Sequence, residues 1–257
     1  MAEHIVKAFD NQLLRLEDAV TRMGGLSEAA LMNAIQAVTM RDTALATVTV
    51  QNDTKIDELQ REINDLALRI LALRQPMASD LRTILATISI AGDLERIADY
   101  AANVAKRSIA LNQQAPVRPV GGIPRMAARA QGMIKDVLDA YADRDAEKAM
   151  AVWQQDEALD ELYTSLFREL LTYMMEDPRA ITPCTHLLFI AKNIERIGDH
   201  ATNIAENIYF MVKGTPLLAH RPKGSDETIT TFNPAPPTAA KPRVRRPRRA
   251  AKPTSEE

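Results

Sequence analysis

The sequence has little cysteine, few aromatic side chains and no long apolar run. Its single cysteine, Cys184, excludes an internal disulfide and is typical of a protein from a reducing compartment. Only 4% of the residues are aromatic, and no run approaches the ~18 apolar residues that a membrane-spanning helix needs. No secretory signal is visible at the N-terminus. We therefore expect a cytoplasmic protein that associates with membranes only through partners.

Charge is distributed unevenly along the chain. The formal net charge is -2, but the segment from Gly214 onward has 9 Lys/Arg and 4 Asp/Glu, which leaves -7 for the rest. We do not expect an acidic body of this kind to bind nucleic acid. The tail, 214–257, is rich in proline and arginine and lacks apolar periodicity, so it is predicted to be disordered. Its basic residues serve either as a solubilising appendage or for contact with acidic lipid headgroups or nucleic acid.

Long stretches of helical periodicity lie between the prolines, which interrupt helices. No stretch shows the pattern of a β-strand. The approximate predicted helices are Glu3–Met40, Thr43–Arg74, Ala78–Leu111, Arg125–Ala142, Ala146–Met175 and Ile181–Val212.

The second half of the chain is a rough copy of the first. The segment AGDLERIADYAANVAK, from Ala91, corresponds to AKNIERIGDHATNIAEN, from Ala191, and Arg22-Met23 corresponds to Arg125-Met126. The repeat predicts an all-α fold of two pseudo-symmetric three-helix bundles side by side, with a disordered C-terminal tail. The predicted parts are a first bundle at 3–112, a linker at 113–124, a second bundle at 125–213 and the tail at 214–257.

Pairs of carboxylates four residues apart recur at equivalent places in both repeats. Like charges at this spacing destabilise a helix, so a compensating cation is expected. Arginines such as Arg96 and Arg196 supply it if the pairs form a solvated acidic face, and a metal ion supplies it otherwise. Carboxylate oxygens suit hard divalent cations and iron or manganese, among which the sequence does not choose. The candidate metal ligands are Asp53, Asp57, Glu95, Asp99, Asp156, Asp160, Glu195 and Asp199.

Catalytic patterns are missing from the sequence. It contains no Glu-x-x-His motif of a diiron bundle, no phosphate-binding loop and no nucleophile elbow. His200 follows Asp199, but its counterpart in the first repeat is Tyr100, so it is expected to be a surface residue rather than a ligand. The alternative function from the residues alone is a carboxylate metal-binding bundle with hydrolase or metal-storage activity.

The motifs RMGGL, QPMASDLR and IERIGDHATNIAE together resemble the PhoU family, and the resemblance covers Glu3 to Gly214. It implies two three-helix bundles in a cytoplasmic, homodimeric protein that is not an enzyme. It also implies two partners, the ATPase subunit of the phosphate-specific ABC transporter and the sensor histidine kinase of the phosphate response. When phosphate is plentiful, such a protein represses the phosphate-starvation two-component system and restrains phosphate uptake.

The resemblance also bears on the carboxylates. The [Glu/Asp]-x-x-x-Asp motifs of the family are associated with bound metal clusters, and all eight corresponding positions are carboxylates here. The resemblance therefore favours metal over a solvated acidic face. Asn103 and Asn203 are further candidate oxygen ligands. The tail lies outside the family pattern, so the resemblance implies nothing about it.

Overall fold

Helices account for nearly all of the chain that the structure describes. The structure, a computed structural model, describes the backbone at residues 2–117 and 121–217 and the side chains from residue 9 onward within these ranges. No strand occurs in these ranges, and none of their helices is long and apolar enough to cross a membrane. The predicted tail lies outside the described residues from position 218. The helices are α1 Ala2–Met40, α2 Thr43–Arg74, α3 Ser79–Asn112, α4 Gly122–Asp143, α5 Ala146–Trp153, α6 Asp156–Glu176 and α7 Ile181–Lys213, with a 3-10 helix at Pro178–Ala180.

A repeated Arg-Asp dipeptide makes the sharp joint between the first two helices of each half. Arg41 and Arg144 have positive φ angles, which end α1 and α4. The aspartates that follow cap the next helix: Asp42 accepts a hydrogen bond from the backbone N–H of Leu45, and Asp145 accepts from two N–H groups of α5. The short local signal therefore fixes where one helix ends and the next begins.

The predicted helix Ala146–Met175 is wrong, because it consists of two helices, α5 and α6. The helical hydrogen bonds are interrupted at Gln154 and Gln155, where the N–H of Gln155 bonds to the carbonyl of Val152 at 2.9 Å. The interruption lasts less than one turn. Apolar periodicity runs across such a short break, so the sequence pattern alone predicted one continuous helix.

Apolar stripes on α3 and α7 form the centre of the two bundles, as the helical periodicity of these segments predicts. Helices α1 and α2 pack against α3, and helices α4, α5 and α6 pack against α7. All described residues fall within one compact unit, Met1–Asp226. Cys184 is also buried. The stripe residues, all fully buried, are Leu94, Ile97, Ala101, Val104, Ile194, Ile197, Ala201 and Ile204.

The two bundles meet mainly through α3 and α7, which run antiparallel. In the first half of α3, Asp93 contacts His200 in the second half of α7. Near the end of α3, the guanidinium of Arg107 lies 3.9 Å from the ring centroid of Phe189, in the first half of α7. The antiparallel pairing relates the two repeats by a pseudo-two-fold axis and confirms the predicted arrangement of two bundles.

Candidate functional site: two carboxylate columns

The first carboxylate column is built by α2 and α3. Its four acids, all half-buried, are Asp53, Asp57, Glu95 and Asp99. The two helices bring these acids close enough to interact. Burial raises the pKa of Asp53, and the charges of Asp99 and Asp57 raise it further. Burial likewise raises the pKa of Glu95, and the charge of Asp99 adds to the effect. The first repeat therefore concentrates negative charge between two helices, at the positions that the sequence predicted.

The second column is built by α6 and α7 from the acids Asp156, Asp160, Glu195 and Asp199. Burial raises the pKa of Glu195, and the nearby charges of Asp199 and Asp160 raise it further, against the opposing effect of Lys192. Asp156, the fourth predicted acid, is buried, unlike the half-buried Asp53 in the equivalent place. The structure thus brings Glu195, Asp199 and Asp160 into one electrostatic cluster.

The cations beside the two columns are not equivalent. In the first column Arg96 lies 3.1 Å from Asp99 and 3.4 Å from Glu95. In the second, Lys192 Nζ lies 2.8 Å from Glu195 Oε2. The repeat counterpart of Arg96, Arg196, instead places its guanidinium 5.6 Å from the ring centroid of Tyr100. Protein cations therefore offset part of the negative charge in both columns, as one of the two sequence-based alternatives requires.

His200 is not the surface residue that the sequence predicted. Its side chain is half-buried between the bundles, and its Nδ1 lies 2.8 Å from Oδ1 of Asp93. The amides of Asn203 and Asn207 donate to the same carboxylate at 3.5 Å. The sequence patterns did not identify Asp93 as a site residue, because it belongs to no repeated acidic pair. The sequence signal for this residue was a difference between the repeats, with an acid, Asp93, in the first and a neutral amide, Asn193, in the second.

The predicted metal ligands have the right donor atoms, and their geometry leaves the prediction open. Among the residues that the structure describes, no three His, Cys, Asp or Glu side chains are arranged to hold one metal ion. The acids are nevertheless hard oxygen donors, and they raise one another's pKa across two helices in each repeat, a repulsion that a cation would relieve. In donor chemistry the residues therefore fit a cation, and the assignment of metal stays a prediction.

The two bundles each match one copy of a known domain. The family model described as the PhoU domain matches residues 20–108 and 123–208. A protein of Rhizobium meliloti named phosphate-specific transport system accessory protein PhoU homolog is 52% identical over 228 residues, covering 88% of this chain and 96% of that one. A protein of the same name from Caulobacter vibrioides is 50% identical over 224 residues, covering 87% and 97%.

Solved structures give the same result for the fold. The crystal structure of PhoU from Pseudomonas aeruginosa is similar with a TM-score of 0.78 and 40% identity, covering 80% of this chain and 100% of that one. The phosphate transport system regulatory protein PhoU from Streptococcus pneumoniae is similar with a TM-score of 0.76 and 30% identity, covering 81% and 99%. Both bundles are matched by the family model, and about half of the aligned residues are identical to those of the Rhizobium meliloti and Caulobacter vibrioides proteins, so the chain belongs to the PhoU family.

Proposed function

We propose that this protein is an accessory and regulatory protein of phosphate transport that acts by binding partners rather than by catalysis. The observation that carries the proposal is the close identity, along both bundles, to relatives named as accessory proteins of a phosphate-specific transport system. The partners are the ATPase subunit of the phosphate ABC transporter and the sensor histidine kinase of the phosphate response. When phosphate is plentiful, the protein holds the kinase in its repressing state and restrains uptake. It works in the cytoplasm, as a homodimer.

A reporter of the phosphate-starvation response tests this role. Alkaline phosphatase activity is measured in phosphate-rich medium in a strain that lacks the gene and in the same strain with the gene restored. We expect high activity in the deletion strain and low activity after restoration. Low activity in both strains would contradict the regulatory role.

Variants of the second column test whether the carboxylates take part. Glu195→Ala and Asp199→Ala are introduced into the restored gene, with Glu169→Ala as the control, because Glu169 is exposed on α6 outside the column. We expect partial loss of repression in the first two variants and full repression in the control. Equal repression in all three would separate the columns from signalling.

Light scattering on the purified protein measures whether it is a dimer.

We also propose that a divalent or iron-type cation binds at the carboxylate columns. The supporting observation is that acids on neighbouring helices raise one another's pKa in both repeats, so the protein pays an electrostatic cost that a cation would remove. Calorimetric titration of the chelator-treated protein with Mn²⁺, Mg²⁺ and Fe²⁺ tests this. We expect binding that weakens in Asp57→Asn and Asp99→Asn. Binding unchanged in both variants would place any cation elsewhere.

A further inference from the structure

The turn between α2 and α3 exposes three apolar side chains at one end of the first bundle. Leu73 is 72% exposed and Met77 is 80% exposed, and Leu81, in the first turn of α3, is exposed as well. Two residues of the turn, Gln75 and Ala78, have φ angles of 49° and 51°. These left-handed conformations reverse the chain within four residues, and Met77 protrudes between them.

Three arginines accompany these apolar side chains. Arg69 is exposed, and the other two are half-buried. Arg74 Nε donates to Gln12 Oε1 at 3.1 Å, and the guanidinium of Arg82 lies against Gly214. Within the described residues, no ion pair joins any of the three arginines to a carboxylate. We call this surface the basic tip; it consists of Arg69, Leu73, Arg74, Met77, Leu81 and Arg82.

The chain beyond α7 starts from the same end of the bundle. Gly214 follows the last residue of α7 and lies against Arg82, and Leu217 packs against the core. The sequence that continues from there, 221–252, has 9 Lys/Arg and 2 Asp/Glu. It lies outside the described residues, but its composition adds positive charge to the chain just after it leaves the basic tip.

The equivalent turn of the second bundle differs in charge. Between α6 and α7, Met175 is 85% exposed and Ile181 is exposed too, so the apolar protrusion is shared. The excess of cations is not shared, because the acids Glu176 and Asp177 occupy this turn and its arginine, Arg179, is paired with Asp177, Nε to Oδ1 at 3.2 Å. The two turns therefore form a natural comparison in which exposed apolar surface is similar and electrostatic character is opposite.

We propose that the basic tip binds the surface of an anionic phospholipid bilayer. Exposed apolar side chains enter the headgroup region, and the arginines, which form no ion pair with a carboxylate of the described residues, contact lipid phosphates. The rest of the body carries net negative charge, so an anionic membrane repels its other faces. The proposed contact with lipid is direct. It therefore differs from the sequence-based expectation of membrane association only through partners, because that expectation considered only membrane-spanning segments. It does not depend on the proposed role in phosphate signalling.

Vesicle co-sedimentation with the full-length protein tests the proposal. The vesicles contain phosphatidylcholine alone or phosphatidylcholine with phosphatidylglycerol, each at low and high salt. We expect binding to the anionic vesicles only, with weakening at high salt because surface charges are screened. The double variant Leu73→Glu/Met77→Glu should bind about tenfold more weakly, because it adds negative charge and removes the apolar contact. The matched control, Met175→Glu, should bind as the wild type does.

Further variants separate the basic tip from the tail and from misfolding. Circular dichroism checks that the double variant is folded; if it is not, Arg69→Glu on the exposed face of α2 replaces it and should also weaken binding. In a full-length variant with Arg243, Arg245, Arg246, Arg248 and Arg249 changed to Gln, binding should still depend on Leu73 and Met77. Absence of binding to anionic vesicles, equal binding to neutral vesicles, or full retention in the folded double variant would each overturn the proposal.

Discussion

Tyr100 and His200, equivalent residues of the two repeats, meet each other between the bundles. Their ring centroids are 5.6 Å apart and the ring planes are tilted by 31°. Two repeat-equivalent residues in mutual contact must lie close to the pseudo-two-fold axis. Tyr100 and His200 therefore form one shared contact between the bundles and are not two independent surface residues.

The contact of His200 with Asp93 predicts a measurable coupling between the bundles. We expect His200→Ala and Asp93→Ala each to lower the free energy of unfolding by about 1–2 kcal/mol, because each leaves a half-buried polar partner without its hydrogen bond. In a double-mutant cycle followed by urea denaturation, the coupling energy should be about 1 kcal/mol. Additive effects of the two substitutions would contradict a direct interaction.

The buried hydroxyl of Tyr141 predicts a loss of stability at high pH. It lies 3.1 Å from the hydroxyl of Thr87 and joins α4 to α3. Burial raises the pKa of Tyr141 from 10.0 to about 12. Below pH 10 the phenol is protonated in both states and its stabilising contribution is complete. As the pH rises from 10 towards 12, the unfolded chain loses its proton first, so the free energy of unfolding falls.

Two variants separate the titration of Tyr141 from its hydrogen bond. Tyr141→Phe should lose about 1 kcal/mol at neutral pH and show a smaller decline in stability above pH 10 than the wild type. Thr87→Val removes the hydrogen bond but keeps the phenol, so it should retain the decline. Denaturant unfolding at a series of pH values measures both, and an identical decline in Tyr141→Phe and wild type would contradict the assignment.

The first carboxylate column predicts an unusual sign for a neutralising substitution. Burial and the charge of Asp99 raise the pKa of Glu95, so its charged form costs stability at neutral pH. Without metal, Glu95→Gln should raise the free energy of unfolding by about 0.3 kcal/mol, the size of a like-charge pair on a helix. Glu58→Gln, at an exposed position of α2, should change it less.

Added metal should stabilise the wild type more than Glu95→Gln, the opposite of the difference expected without metal. If a cation binds in the column, Mn²⁺ should raise the melting temperature of the wild type more than that of Glu95→Gln, because the variant has lost a charged oxygen donor. Thermal unfolding with chelator and then with added Mn²⁺ measures both parts. A lower stability of Glu95→Gln in chelator would contradict the repulsion among the acids.

Close packing at Gly198 predicts opposite outcomes for two glycine-to-alanine substitutions. A Cβ at Gly198 would overlap the side chain of Leu159, which is 1% exposed, so Gly198→Ala should lower the free energy of unfolding by about 1–3 kcal/mol. Gly25 lies in α1 with nothing within 4 Å of the corresponding position. Gly25→Ala should raise stability by about 0.5–1 kcal/mol through helix propensity. Thermal denaturation of both variants checks the contrast.

The sequence predicted the helices well, because apolar periodicity and local breaks report directly on them. The boundaries of α2 agree with the prediction, and the apolar stripes of α3 and α7 are buried as expected. The break at Gln154 and Gln155 was missed because it shifts the apolar pattern too little to be seen. The positive φ angles at Arg41 and Arg144 were not predicted, since they are a property of the folded backbone.

The site was predictable to the extent that repetition reveals it. Equivalent acidic pairs in two copies indicated where carboxylates cluster, and the raised pKa values of Asp53, Glu95 and Glu195 agree with that clustering. The pairing of Asp93 with His200 was not predictable in the same way. Periodicity tells which face of a helix is apolar, but it does not tell which polar face of one bundle meets the other bundle.

The pairing of Asp93 with His200 means that the two halves of the chain are not interchangeable at this contact. The repeat counterparts of this pair are Asn193 and Tyr100, so the carboxylate of one pair is replaced by a neutral amide in the other. A dimer made of two first halves would set Asp against Tyr, and one made of two second halves would set Asn against His. At this contact each half is therefore complementary to the other half and not to a second copy of itself.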